Sequence, residues 1–355
     1  MYVGSHDGME RDLVARESDL PFVGISAAAI RGRGPLQLAR NLGRLARGVR
    51  QARALLRRER PAAILGTGGY VCVPLFVAAR SLGVPTMIYL PDIVPGWAVR
   101  VLARIATRAA CSFEPSLRYL PRHKTIVTGY PVRPELLAAA TQRAACRAAF
   151  GLHADQPVLF VYGGSRGARS INRAVCQLLP ELLALAQVIH ICGREGDEHW
   201  LRDAAAQLPE ALRARYRLYP YLFSEGDAHH AAGPSMAQAF GAADLALCRA
   251  GASTLAELPA MGLPAVLVPY PYVHQEENAA YLVQHGAAVC LADHELLGTG
   301  APTDGPLFRE LRRLLTDAEA RSQMARRSAA LARPDAAARL ADALLDLARL
   351  EGRPA

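Results

Sequence analysis

The chain has 355 residues, of which 51% are hydrophobic and 21% charged, a balance that suits a folded protein and is too apolar for disorder. At about 150 residues per domain the length predicts two domains. The longest apolar runs are strand-sized, none approaches the ~18 residues of a membrane span, and a transmembrane protein is therefore excluded. The formal charge is +9, and Lys124 is the only lysine among the 41 basic residues.

The start, Met1 to Asp7, carries neither a basic nor an apolar leader region, and no signal peptide is expected. The first charged feature follows at 31–60, where ten arginines face a single acid, Glu59. The pattern Leu36–Arg58 reads as a helix. Arg40, Arg44, Arg47 and Arg50 recur on one face, with Leu38, Leu42, Leu45, Val49, Leu55 and Leu56 interleaved. Such a helix resembles an interfacial amphipathic one, and an anionic membrane surface is its natural partner. No aromatic residues are interleaved and no nucleic-acid motif occurs, so no nucleic-acid partner is expected.

Strands are predicted at 62–66, 85–90, 109–113, 124–128, 157–162, 187–192, 216–219, 243–248, 264–269 and 287–291. Most are continuous apolar runs, such as Val158-Leu159-Phe160-Val161-Tyr162, as parallel sheets covered on both faces require. Helical patterns such as Ala168–Leu185 and Asp304–Leu331 alternate with them. The alternation predicts a doubly wound α/β class. Two X-Pro steps within Tyr130-Pro131-Val132-Arg133-Pro134 mark a linker near 133. The expected domains are 1–133 together with 336–355, and 134–335. The segment 224–234 reads as an exposed loop. Residues 335–350 read as an amphipathic helix with Leu340, Leu344 and Leu347 on one stripe.

The seven cysteines form no CxxC pair and read as buried small hydrophobes in a reducing compartment. His229 and His230 lie without further ligands at metal-binding spacing, and a solvated loop is the expectation there.

Four strand-to-helix turns carry chemistry. Gly66-Thr67-Gly68-Gly69-Tyr70 bares backbone N–H groups where an anion can approach. Gly163-Gly164-Ser165-Arg166-Gly167-Ala168 adds a hydroxyl and a cation to another such loop, but lacks the GK[ST] of a Walker motif. Arg249-Ala250-Gly251-Ala252-Ser253-Thr254-Leu255-Ala256-Glu257 opens a helix that Ser253 and Thr254 can cap, with Glu257 one turn in, placed to accept hydrogen bonds from a vicinal diol such as a ribose. His274-Gln275-Glu276-Glu277-Asn278 is a polar cluster beyond the carboxyl end of a strand, where ligands of open α/β sheets bind.

Together with Thr-Gly-Tyr-Pro-Val-Arg and Gly-Leu-Pro-Ala-Val-Leu-Val-Pro, these segments resemble, in order and spacing, the lipid-II-forming N-acetylglucosaminyltransferases of glycosyltransferase family 28. The resemblance covers nearly the whole chain and is most specific in its C-terminal half. It implies a GT-B fold, two Rossmann-like domains facing a cleft. It implies an inverting transfer of N-acetylglucosamine from UDP-GlcNAc to the muramyl 4-hydroxyl of undecaprenyl-linked lipid I, by a peripheral protein at the cytoplasmic face of the plasma membrane. The donor would be held by Arg133, Gly164, Ser165, Leu222, Arg249, Ala252, Thr254, Glu257, His274 and Gln275. Ser165, Ala252 and Thr254 would meet the diphosphate, Leu222 the uracil, Glu257 the ribose and Gln275 with His274 the sugar. Gly68, Gly69, Tyr70 and Asp92 would face the acceptor. No DxD-like motif occurs, so no metal and no further cofactor are expected.

Two departures stand out. The family's opening strand and Gly-Gly-Thr-Gly-Gly-His loop have no counterpart, because Met1–Ser5 matches the family's second strand, and the N-terminal domain is expected to be truncated by roughly 30 residues, the size of part of a βαβ unit. Asp92 stands where the family usually has Asn, and a carboxylate there can serve as the catalytic base. The competing readings are a diacylglycerol glycosyltransferase and a non-catalytic nucleotide-sugar-binding relative.

Overall fold

The computed structural model describes residues 1–6, 10–27, 35–164, 167–223 and 233–350. The chain divides into two compact units, Met1–Tyr130 with Asp335–Ala355, and Pro131–Pro334. The linker expected near 133 lies just inside the second.

The first unit runs β1 (Tyr2–Ser5), α1 (Glu10–Glu17), β2 (Phe22–Ile25), α2 (Pro35–Glu59), β3 (Ile64–Gly66), α3 (Cys72–Ser81), β4 (Thr86–Leu90), α4 (Trp97–Ile105), β5 (Arg108–Cys111) and β6 (Thr125–Val127). β1, α1 and β2 are short and half-exposed, and their weak patterning explains why the strand list above begins only at 62. The strands form two separate parallel groups, β1–β2 and β3–β4–β5–β6. β4 is buried on both faces. Ile88 and Leu90 pack with Phe76, Leu102 and Leu56, while Met87 and Tyr89 pack with Leu340 and Leu347. The last helix, Ala336–Leu350, thus covers the second face of this sheet with its apolar stripe. Between the two strand groups lies a cavity of about 900 Å³, lined by Tyr2, Val3 and Gly4 on one side and Ile64, Leu65 and Gly66 on the other. β1 and β3 are therefore each the last strand of their group, with no strand paired on the cavity side among the described residues.

The second unit runs α5 (Pro134–Ala139), α6 (Arg143–Ala149), β7 (Val158–Tyr162), α7 (Arg169–Gln177), α8 (Leu179–Leu185), β8 (Gln187–Ile191), α9 (Glu198–Ala206), α10 (Glu210–Arg213), β9 (Tyr216–Tyr219), α11 (Met236–Ala242), β10 (Leu245–Cys248), α12 (Thr254–Ala260), β11 (Ala265–Leu267), α13 (Gln275–Gln284), β12 (Ala288–Cys290), α14 (Pro306–Thr316) and α15 (Ala318–Ala329). The helix of the first unit's second face is α16. The six strands are all parallel, in the order β12–β11–β10–β7–β8–β9. Every residue of β7, β8 and β10 is buried, and β7 and β10 are accordingly apolar without alternation, while β8 also buries Gln187 and His190.

Two expected helices are split. Pro180 lacks an N–H and starts α8 after the break at Leu178. Asp317 ends α14 and caps α15, accepting a hydrogen bond from the Ala320 N–H at 2.9 Å. The cysteines depart from expectation in part. Cys290 is exposed and Cys176 half-buried, because both sit at the rim of their elements, while the other five are buried. The loop expected at 224–234, with His229 and His230, falls almost wholly outside the described residues.

The 31–60 segment divides between core and surface. In α2, Leu55 and Leu56 are buried, and Val49 packs against the core of the unit. Arg40, Arg44, Arg47 and Arg50 are exposed, and among the interleaved apolar residues Leu42 alone is exposed, while the Leu38 side chain lies outside the described residues. The C-terminal part of the apolar stripe is thus built into the protein's own core, while Leu42 faces outward with the arginines. What remains outside is a basic face.

Candidate active site

In a doubly wound sheet, ligands bind beyond the carboxyl ends of the strands where the order reverses. In the second unit that point lies between β7 and β10, neighbours in space but 83 residues apart from the end of one to the start of the other. A cavity of about 400 Å³ opens there. Its walls come from the turns after four strands: Tyr162, Gly163 and Gly164 after β7, Tyr221 and Leu222 after β9, Arg249, Gly251, Ser253 and Thr254 after β10, and Gln275 after β11, with Arg133 and Glu257 closing it.

The β7 turn has this shape because glycine permits it. Gly164 and Gly167 have φ of +84°. A Cβ on Gly163 would lie 2.4 Å from Ala168, and one on Gly167 would lie 2.1 Å from the Cys192 carbonyl oxygen. The chain passes so close to β8 that a side chain has no room, which leaves bare backbone facing the cavity.

Glu257 is 14% exposed at its side chain, and its carboxyl faces the Arg133 guanidinium at 3.9 Å. Burial raises the Glu257 pKa, while Arg133 and a hydrogen bond from the Ser253 hydroxyl lower it. Ser253 therefore serves Glu257 and does not cap α12, as the sequence had suggested. Its backbone is helical and makes no side-chain cap bond. Tyr162 is buried beneath the cavity beside Phe160 and Phe240. The cavity thus offers backbone N–H groups and a cation to an anion, and a carboxylate and amide to hydroxyl groups.

Of the predicted donor residues, Arg133, Gly164, Leu222, Arg249, Thr254, Glu257 and Gln275 all line this one cavity. Ala252 and His274 do not. His274 precedes α13 with its side chain 68% exposed, 3.9 Å from Glu277. Ser165 lies outside the described residues. Tyr162, Ile191, Tyr221 and Met236 also line the cavity and were not foreseen. The available signal for Tyr162, Ile191 and Tyr221 was their place at or just beyond strand ends; Met236, which opens α11, carried none.

The predicted acceptor residues lie in the first unit. Gly68 and Gly69 have φ of +102° and +81°. With Tyr70, which is 58% exposed, they line the mouth of the 900 Å³ cavity. Asp92 is half-buried in the turn after β4 and is not among the residues of that cavity, and its carbonyl accepts from the Ser116 hydroxyl at 3.3 Å. No group of three or more potential metal ligands occurs among the described residues.

Comparison with known proteins follows the same division. Residues 1–111 match the glycosyltransferase family 28 N-terminal domain and residues 158–340 the family 28 C-terminal domain. A relative from Roseiflexus sp. (strain RS-1), named UDP-N-acetylglucosamine--N-acetylmuramyl-(pentapeptide) pyrophosphoryl-undecaprenol N-acetylglucosamine transferase, is 58% identical across 96% of this chain and 82% of its own. The protein of the same name from Bacillus subtilis is 33% identical across 98% of this chain and 90% of its own. Among solved structures, MurG of Acinetobacter baumannii superposes with a TM-score of 0.71 at 25% identity, over 97% of this chain and 90% of that one. A UDP-GlcNAc 2-epimerase from Neisseria meningitidis shares the fold at a TM-score of 0.66 and 13% identity.

Proposed function

The chain belongs to glycosyltransferase family 28, and from that premise we propose that it transfers N-acetylglucosamine from UDP-GlcNAc to the muramyl 4-hydroxyl of lipid I, forming lipid II. The observation that carries this reading is the convergence of seven predicted donor residues on the switch-point cavity. The acceptor hydroxyl attacks the anomeric carbon, the bond to the UDP oxygen breaks with inversion, and a base takes the hydroxyl proton. Negative charge grows on the leaving diphosphate. The bare N–H groups of the 163–164 and 251–254 turns and the Arg133 guanidinium are the groups that meet it. Glu257 takes the ribose hydroxyls, Leu222 offers backbone to the uracil, and Gln275 holds the sugar. Asp92 is the base in this reading, and Asp92→Asn should abolish turnover while leaving UDP binding intact.

The test is transfer of labelled N-acetylglucosamine to a lipid I analogue, with diacylglycerol as the rival acceptor. Labelled lipid II supports the proposal. Transfer to diacylglycerol alone, or UDP binding without transfer, overturns it.

The exposed arginines of α2 support docking on an anionic membrane by charge, as a peripheral protein at the cytoplasmic face. Co-sedimentation with phosphatidylglycerol vesicles should fall with added salt and with Arg44→Gln/Arg47→Gln. Equal binding to neutral vesicles would remove this part of the reading.

A further inference from the structure

Arg249 lines the donor cavity, yet its side chain is only 12% exposed and its guanidinium is largely spent on the protein. Nη1 donates to the carbonyls of Val268 at 3.1 Å and Pro269 at 3.2 Å, and to the Asp293 carboxylate. Nη2 donates to the Ser170 hydroxyl at 2.8 Å, and that hydroxyl donates in turn to Asp293 at 2.7 Å. The guanidinium also lies over the Tyr270 ring, 5.4 Å from its centroid. The backbone N–H of Tyr270 is held by Gln275 at 2.9 Å.

These contacts join parts of the chain that are far apart in sequence. Ser170 stands at the start of α7, which leads out of the 163–168 turn. Arg249 opens the turn after β10. Val268, Pro269 and Tyr270 belong to the segment after β11 that ends in Gln275. Asp293 follows β12 and supplies the only carboxylate bonded to this guanidinium among the described residues.

We propose that Asp293, with Ser170, is a positioning residue for the donor site: it fixes Arg249 as a cross-link that sets the three donor turns at a common distance. Arg249 then acts on the donor chiefly through the turns it ties together. This rests on the proposed donor reading of the cavity. A carboxylate near a diphosphate site is otherwise unfavourable, since like charges repel. Its presence makes sense if the geometry it imposes outweighs the repulsion. The bonds are charge-assisted and lie in a largely dry site, where such bonds are strong.

The test uses the full chain and its Asp293→Asn variant. UDP affinity is measured by isothermal titration, donor KM and kcat by transfer, and loop order by amide hydrogen exchange. Asp293→Asn should weaken UDP binding and raise the donor KM about tenfold, the loss of one charge-assisted contact, while kcat stays within about threefold. Exchange should quicken together in 163–164, 249–254 and 268–275. Ser170→Ala should show the same pattern more weakly, and the double variant should fall short of the product of the two effects.

UDP affinity equal to or tighter than wild type in Asp293→Asn would overturn the inference, since removing a repulsive charge would then be all that the change does. Quickened exchange at only one turn would overturn it as well. A wild-type chain that binds no UDP would sink the donor reading alone, and the exchange pattern would still decide the role of Asp293.

Discussion

His190 sits in β8 beneath the donor site, is fully buried, and is engaged at both ring nitrogens. Asn172 donates its amide to the Cys192 carbonyl at 2.8 Å and to Asp197 at 2.9 Å, so its carbonyl oxygen is turned to His190 Nε2 at 3.0 Å. Nε2 must therefore carry the proton, and Nδ1 accepts from the Tyr216 hydroxyl at 2.8 Å. Burial pulls the His190 pKa from 6.5 down to about 3. The folded chain holds this ring neutral where the unfolded chain protonates it. Stability is therefore intact above pH 6.5, falls as pH drops from 6.5 toward 3, and is flat in this respect below. Well below 6.5 each pH unit costs about 1.4 kcal/mol, and the first two pH units below 6.5 together cost about 2 kcal/mol. The perturbation is His190→Gln, which keeps polar contacts and removes the titration. Urea unfolding followed at Trp200, in a Trp97→Phe background, reports this unit by itself. Between pH 6.5 and 4.5 the wild type should lose about 2 kcal/mol more than the variant. Equal losses in the two proteins would refute the reasoning, because carboxylates elsewhere are common to both.

Arg133 holds the Glu257 carboxyl down against its burial, at 3.9 Å. Arg133→Ala should move the acidic limb of donor kcat/KM upward, because the opposing charge that lowers the Glu257 pKa is removed. Arg133→Lys should restore most of the limb, and an unmoved limb would show that Glu257 titration does not govern donor use. Gly167→Ala meets both a φ of +84° and a carbonyl 2.1 Å from the new Cβ. It should lower stability by about 3 kcal/mol and abolish UDP binding, whereas Gly164→Ala, with the same φ and open space, costs about 1 kcal/mol. Similar melting temperatures for the two variants would contradict this account of the turn. The edges of β1 and β3, which pair no strand on the cavity side among the described residues, predict concentration-dependent self-association, reduced by Leu65→Lys at the 37%-exposed Leu65. A monomer at all concentrations in sedimentation would count against free edges.

Much of the second unit was legible in the linear chain. Strands of a parallel sheet buried on both faces must be apolar at every position, so Val158–Tyr162 and Leu245–Cys248 announce themselves. The turns after them announce themselves too, because backbone that must pass close to other backbone needs glycine, as Gly163 and Gly167 do. The first unit was harder. β1 and β2 have four residues each and half-exposed faces, too short and mixed for periodicity to separate from loop.

Sequence alone determined the kinds of groups present: glycine-rich turns with bare backbone, a carboxylate at Glu257, an arginine-rich helix at 35–59. Tertiary structure decided which of these meet and which way they point. Periodicity finds the two faces of α2 but not what covers them, and only packing shows that Leu55 and Leu56 belong to the core while the arginines face outward. Ser253 was equally able to cap a helix or to serve Glu257, and the local backbone angle settled it. Ser170 and Asp293 lie 123 residues apart. Their meeting at Arg249 depends on the strand order β12–β11–β10–β7, a long-range pairing that no local pattern encodes.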